Sequence, residues 1–252
     1  MLTKNELKYY SGLLKNKYRI KENKFLVEGK KLVDEGLSSK LVCEVICATE
    51  QFQKANAPQV KQIRSKNIRY EIIKNSEFVR LSDTKSPQGI CAVFNIPSLT
   101  QASMYNENLV VALDDISDPG NVGTIIRTCD WFGIRELLFS SSCADLFSPK
   151  VIRSTMGSIF HIPALFEGQL QEKLAEYKSA GYKLIIADLK GNDIFHYNES
   201  GKKVIIFSNE AHGPSKEILD ITDSSVTIPK IGTAESLNVA SAAAIILAHL
   251  TR

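Results

Sequence analysis

The 252-residue chain holds one tryptophan, three methionines, four histidines and five cysteines. The cysteine number is odd, no CxxC is present, and no Cys/His cluster has metal-ligand spacing, so neither a zinc site nor a disulfide framework is expected. Cys43 and Cys47 alternate with apolar residues in LVCEVICA, the pattern of a strand core, and buried free thiols are the expectation. No apolar run reaches the length of a membrane span. The opening MLTKNELKYYSGLLKNKYRIKENK lacks the apolar core of a signal peptide, so a cytoplasmic setting is expected. The chain has no GxGxxG, no GxxxxGK[ST] and no GxSxG. Dinucleotide binding, P-loop chemistry and the serine nucleophile elbow are thereby disfavoured.

What remains is ordinary globular composition, 44% apolar and 23% charged, enough for one large domain or two smaller ones. The net charge of +3 is unevenly spread. Residues 1–96 carry 18 basic against 10 acidic side chains, a net +8, and residues 97–252 carry 13 against 18, a net −5. A basic module joined to a mildly acidic one points to a polyanion at the first half, with a solvated Lys-rich surface as the alternative.

In residues 3–17, Leu7, Tyr10, Leu13 and Leu14 fall at helical spacing and predict a helix. A basic run follows: Lys15, Lys17, Arg19, Lys21 and Lys24, with Tyr18 inside it. Such a run grips phosphates, and its aromatic ring stacks on an unpaired base, unless it is simply a solvated helix end. Arg153, farther along, joins these candidates for RNA contact. Strand and helix patterns then alternate to residue 96, predicting a small α/β domain, and the polar stretch 97–108 lacks periodicity and reads as a linker. Residues 109–252 contain continuous apolar strands, LVVALDD, ELLFSSS, KLIIADL and KKVIIFSN among them, separated by helices. This predicts an α/β domain whose mostly parallel sheet is covered by helices on both faces. The last helix carries almost no charge from Val239 to Leu250 and is expected to be buried nearly all round.

Ligands of such sheets bind beyond the carboxyl ends of the strands, here 114–127, 188–191, 208–213 and 228–238. Asn121 stands at a helix entry in DPGNVG, where it also suits a cap. Arg127 lies among Ile125, Ile126 and Trp131, a setting in which a buried guanidinium needs an anion: Glu210 or a substrate phosphate. Glu210 directly follows an apolar strand, and Ser236 and Asn238 are cap types before the final helix.

Together DPGNVGTIIRTCDWFG, FSNEAHGPS and IPKIGTAESLNVASAAAIILAHL resemble the three signature motifs of the SpoU (TrmH-like) RNA 2′-O-ribose methyltransferases of the SPOUT superfamily, in the right order and spacing. KFLVEGKKLVDEG and LSDTKSPQGICAVF resemble the substrate-binding domain often fused ahead of that catalytic domain. The resemblance implies a C-terminal trefoil knot, S-adenosylmethionine as cofactor, a homodimer, and a ribosomal or transfer RNA substrate, with the basic first domain favouring ribosomal RNA. It matches Asn121, Arg127, Glu210, Ser236 and Asn238 to the catalytic positions. It places Ser208, Gly213, Ile228, Pro229 and Leu237 against the cofactor, with Asp188 and Leu189 lining the same pocket. The family usually has Gly where Ser208 stands and a Gly-rich turn where Ala211 and His212 stand. An RNA-binding protein that keeps the fold but does no chemistry is the competing expectation.

Overall fold

A computed structural model of the chain describes residues 2–99, 105–209 and 213–252. The chain forms two compact units, one of residues 1–97 with 147–160, the other of 98–146 with 161–252. The segment 147–160, which lies within the second half of the sequence, thus packs with the first unit.

The first unit contains α1 (Lys4–Gly12), α2 (Asn16–Glu22), β1 (Lys24–Glu28), α3 (Lys30–Ser38), β2 (Cys43–Thr49), α4 (Glu50–Ala55), α5 (Ala57–Ser65), β3 (Arg69–Ile73), α6 (Asn75–Phe78) and β4 (Ile90–Asn95). Its sheet has the order β1-β4-β2-β3, with β4 antiparallel to both neighbours and β2 parallel to β3. The helix expected over 3–17 is two helices. Thr3 and Glu6 close a capping box on α1, and the chain turns after Gly12 before α2 begins. Helix α5, opened by Pro58 in its first turn, has no counterpart in the sequence expectations. Leu7, Tyr10, Leu13, Leu26, Val45 and Val93 belong to one buried cluster. Elsewhere α3 packs on β1 and β4 so closely that a Cβ on Gly36 would lie 2.7 Å from the Phe94 ring. Phe147 and Phe160 complete this unit, their ring centroids 4.6 and 6.5 Å from that of Phe25.

The second unit contains β5 (Leu109–Asp114), α7 (Pro119–Trp131), β6 (Glu136–Ser140), β7 (Ala164–Gly168), α9 (Leu170–Ser179), β8 (Lys183–Asp193), β9 (Lys203–Ser208), α10 (Lys216–Ile221), β10 (Ser224–Thr227) and α11 (Val239–Leu250); α8 (Pro149–Thr155) lies in the 147–160 segment of the first unit. Ser148 caps α8 and Pro149 opens it, and the chain leaves it at Met156 and Gly157, both at positive φ. The six strands run in the order β10-β8-β9-β5-β6-β7, and every pairing among the described residues is parallel. Alternation along the strands sends Val110, Ala112, Leu184, Ile186, Val204 and Ile206 into one cluster with Leu170, Leu174, Tyr177 and Ile218 from α9 and α10. Their neighbours Val111, Leu113, Ile185, Ile205 and Phe207 are equally buried, and α11 packs against α7 and β9. Helix α11 is not enclosed on every side. Val239, Ala240, Ala243, Ile246 and Leu247 are buried, Ser241 is exposed and the other positions are half-buried, because only one face meets α7 and β9.

All five cysteines are free thiols: Cys47, Cys91 and Cys129 are buried, Cys43 and Cys143 half-buried. Among the described residues no helix is long and apolar enough to cross a membrane, and no group of His, Cys, Asp and Glu could hold a metal ion.

Candidate active site

The site lies at the carboxyl edge of the parallel sheet and begins with an irregularity. Along β10, Ser225 is in register with Ile186 of β8, but the next residue, Val226, is in register with Asn192. The intervening residues of β8 therefore leave β10 and open the sheet edge. Gly191 rejoins so closely that a Cβ there would lie 2.4 Å from the Val226 backbone, a position only glycine fills.

A cavity of 610 Å³ occupies this opening. Its walls come from Ala187–Lys190, from Phe207, Ser208 and Asn209 after β9, from Gly213 and Pro214, from the chain between Val226 and Leu237, and from Val239, Ala242 and Ile246 of α11. Gly213 has φ of +67°, which fits the turn after β9. Ser215 then caps α10. The residues expected at a cofactor, Asp188, Leu189, Ser208, Gly213, Ile228, Pro229 and Leu237, all line this cavity, as does Ser236. Sequence reasoning missed Asn209, whose amide donates to the Asp115 carbonyl at 3.0 Å and to its carboxylate at 3.2 Å. That bond ties the chain after β9 to the chain after β5. The doubled acid closing LVVALDD was the available signal. Beside it, burial raises the Asp114 carboxyl above its ordinary range, opposed by a hydrogen bond from the Ser215 amide.

The first and third motifs also meet. Asp118, not Asn121, is the N-cap of α7: its carboxylate accepts from the Asn121 amide at 2.9 Å. The Asn121 side chain is thereby left to accept a 3.0 Å hydrogen bond from the Asn238 amide, while Asn238 caps α11 by accepting from Ala240. Ser236 is exposed and makes no cap. The setting expected for Arg127 is corrected: Ile125 and Ile126 turn inward and Arg127 is exposed, because the apolar neighbours occupy the opposite side of α7. Trp131, one turn farther, is 85% exposed. Glu210, with Ala211 and His212, lies outside the described residues.

The residues expected to contact RNA divide. Lys15 and Lys17 are exposed, and Lys21 is exposed with Glu22 3.5 Å away. Arg19 is 4% exposed and donates to the Leu13 carbonyl at 2.7 Å, so it holds α2 to the end of α1 instead of facing solvent. Lys24 pairs with Glu44 and donates to the Tyr9 hydroxyl. Arg153 pairs with Asp83 at 2.9 Å. The last three are engaged in the fold, each by a partner of its own unit: the Leu13 carbonyl, Glu44 and Asp83.

The cavity's chemistry suits S-adenosylmethionine. Ile228, Leu237 and Ile246 offer apolar surface for a purine, Asp188 offers a carboxylate, and Ser208 and Ser236 offer hydroxyls.

The sequence profile described as the SpoU rRNA Methylase family matches residues 108–248. The chain belongs to this family. A second profile, the MRM3-like substrate binding domain, matches residues 4–92. The chain is 33% identical, over 97% of its length and 95% of the relative's, to the 23S rRNA (guanosine(2553)-2′-O)-methyltransferase RlmP of Bacillus subtilis. Among solved structures, the SpoU methyltransferase AviRb from Streptomyces viridochromogenes in complex with AdoMet matches with a TM-score of 0.87 and 25% identity, over 99% of this chain and 97% of that one. The AdoMet-bound rRNA methyltransferase from Sinorhizobium meliloti matches with a TM-score of 0.84 and 27% identity, over 99% and 95%. Of the three segments that resemble SpoU motifs, described residues of the second and third line the cavity, and the first joins the third through the Asn121–Asn238 hydrogen bond.

Proposed function

We propose that this SpoU-family chain is an S-adenosylmethionine-dependent methyltransferase acting on a ribose 2′-hydroxyl of ribosomal RNA. The observation that carries this reading is the cavity at the carboxyl edge of the parallel sheet, lined by the residues after β9 and before α11, with Asn238 of its rim bonded to Asn121 of α7. The cofactor, when bound, supplies a methyl group already activated by its sulfonium. The protein's task is therefore mainly alignment. Ile228, Pro229 and Leu237 hold the cofactor's apolar part, and Ser208, Gly213, Asp188 and Leu189 complete its surroundings. Asn121, Ser236 and Asn238 fix the loop that separates cofactor from substrate. Arg127 orients the hydroxyl and a neighbouring RNA phosphate. A guanidinium stays protonated, so Arg127 donates hydrogen bonds and the hydroxyl proton goes to another acceptor.

The same reading includes a trefoil knot in the C-terminal chain, a cytoplasmic setting and a homodimer. Support for the dimer comes from apolar surface on this unit: exposed Trp131 and the half-buried Ala244, Ile245 and Ala248 of α11. Of the phosphate contacts expected in the basic run, Lys15, Lys17 and Lys21 remain exposed on the first unit.

Calorimetric titration with S-adenosylmethionine, followed by transfer of labelled methyl to unmodified 23S rRNA, tests the proposal. One site per chain and label at a ribose are expected. Ser208, a side chain where the family usually has glycine, favours a second reading, an RNA-binding protein without chemistry. Cofactor-independent RNA binding with no methyl transfer would select it.

A further inference from the structure

We propose that the first unit holds a second binding site, a pocket for one unpaired nucleobase of the substrate RNA. This rests on the RNA reading above. The pocket has 340 Å³ and opens at the carboxyl ends of the parallel neighbours β2 and β3, between Thr49 and Asn75. That edge is where open α/β sheets take ligands. Its size stands near the low end of the range for ligand pockets, roughly 300–1,000 Å³, which suits one base and not a strand.

The lining is specific in kind. Phe52 and Phe78 form apolar surface, and Gln51, Asn56, Asn75 and Gln88 bring carboxamides. No lining residue is charged. Carboxamides pair with donor and acceptor edges of bases, whereas a phosphate site needs cations. Two walls are braced. The Gln88 oxygen accepts from the Lys30 amide at 2.8 Å, and the Asn56 oxygen accepts from the Lys30 ammonium at 2.9 Å. Gly89, at φ +81°, accepts from the Thr49 amide at 2.9 Å and closes the loop onto β2. The side chains of Gln51 and Asn75 are exposed and make no internal hydrogen bond among the described residues, so their amides are available to a ligand.

Charge selects the ligand's source. Lys30 reaches the rim through Asn56, and exposed Lys54, Lys74 and Arg80 adjoin the lining residues Ala55, Asn75 and Val79 in sequence, outnumbering the acids Glu50 and Glu77 that adjoin Thr49 and Phe78. A neutral, amide-lined pocket within a cationic rim matches a base splayed out of an RNA backbone, its flanking phosphates over the lysines.

The test uses the full-length 15N-labelled protein titrated with AMP, GMP, CMP and UMP, reading the side-chain amide signals of Gln51, Asn56, Asn75 and Gln88. Saturable shifts with one base preferred are expected, and they vanish in Ala55→Trp, which fills the pocket from an exposed helix position. In methyl transfer to unmodified 23S rRNA, Ala55→Trp and the double variant Gln51→Ala/Asn75→Ala raise KM about 10-fold at unchanged kcat, the loss of one base contact. Calorimetric affinity for S-adenosylmethionine stays at the wild-type value in both. No shift at millimolar nucleotide, or an unchanged KM in either variant that retains cofactor binding, overturns the pocket. Failure of the wild type to bind cofactor or transfer methyl sinks the methyltransferase reading instead, and the nucleotide shifts still decide the pocket. Shifts produced by a peptide pool and not by nucleotides would assign the site to protein and overturn the proposal.

Discussion

The two units are both α/β, and in each a cavity opens where parallel strands end, yet they present function in opposite ways. The second unit has an all-parallel six-stranded sheet, and its cavity of 610 Å³ is walled largely by loops that follow apolar strands. The first has a mixed four-stranded sheet, and its smaller pocket is lined by neutral amides. In the second unit two of the residues proposed for the chemistry are spared by the fold: Arg127 is exposed and Ser236 makes no cap. In the first, much of the charge that suggested a polyanion is spent on structure, in Arg19 on the Leu13 carbonyl and Lys24 on Glu44. Charge counted along a sequence measures supply; only burial and pairing say how much reaches a partner.

The largest effect should come from Arg127→Ala. With an exposed side chain removed, stability stays within about 0.5 kcal/mol, whereas kcat falls about 10²-fold or more through lost alignment. Single-turnover methylation together with thermal unfolding separates the two. An Arg127→Lys protein of full activity would remove Arg127 from its role.

Next is the contrast inside the basic run. Arg19→Met should cost about 1.5–3 kcal/mol in urea unfolding, as expected for a lost charged hydrogen bond, and leave the salt dependence of RNA binding alone. Lys17→Ala should do the reverse, lowering the slope of log affinity against log salt by about 1 with no change in stability. If both variants changed the slope equally, the division of this run would be wrong.

Asn238→Ala removes both the cap of α11 and the bond to Asn121, and about 1 kcal/mol of destabilisation is expected. Asn121→Ala loses the bond and keeps the cap, so its effect on melting should be the smaller, with cofactor affinity weakened in both.

The smallest effect is a pH dependence. Asp114 holds its proton more tightly in the folded protein than in the unfolded chain, because burial disfavours the carboxylate. Between the ordinary carboxyl range and that raised value, the unfolded chain has released the proton while the folded one retains it. Wild-type stability therefore falls as pH rises through this window. Asp114→Asn lacks that loss, so its urea midpoint relative to wild type should rise from pH 4 to pH 7.

Much of the second unit was legible because its strands are continuous apolar runs and its turns carry their own signals, such as Pro119 opening α7 and Gly181 closing α9. The seven residues expected at the cofactor line one cavity for the same reason: strand ends of a parallel sheet converge on one edge. What could not be read were pairings across sequence distance. The doubled acid of LVVALDD marks a polar strand end but not Asn209 as the partner of Asp115, and nothing local marks Arg19 as an inward residue. The jump in register between β8 and β10 that opens the cavity leaves only Gly191 as its trace. Helix α5 was lost because APQVKQIRS mixes a proline with polar residues and buries only Val60 and Ile63.

The placement of residues 147–160 reaches beyond the folded molecule to its synthesis. Phe25 and Phe94 of the first unit find their aromatic neighbours in Phe147 and Phe160. A ribosome that has made only the first 97 residues has therefore not yet made the whole of that unit's core. The nascent N-terminal unit must wait, with Phe25 uncovered, until some 60 further residues have emerged. A chimaera that exchanges only residues 1–97 between relatives would inherit the mismatch: one parent's sheet against the other parent's Phe147–Phe160 segment.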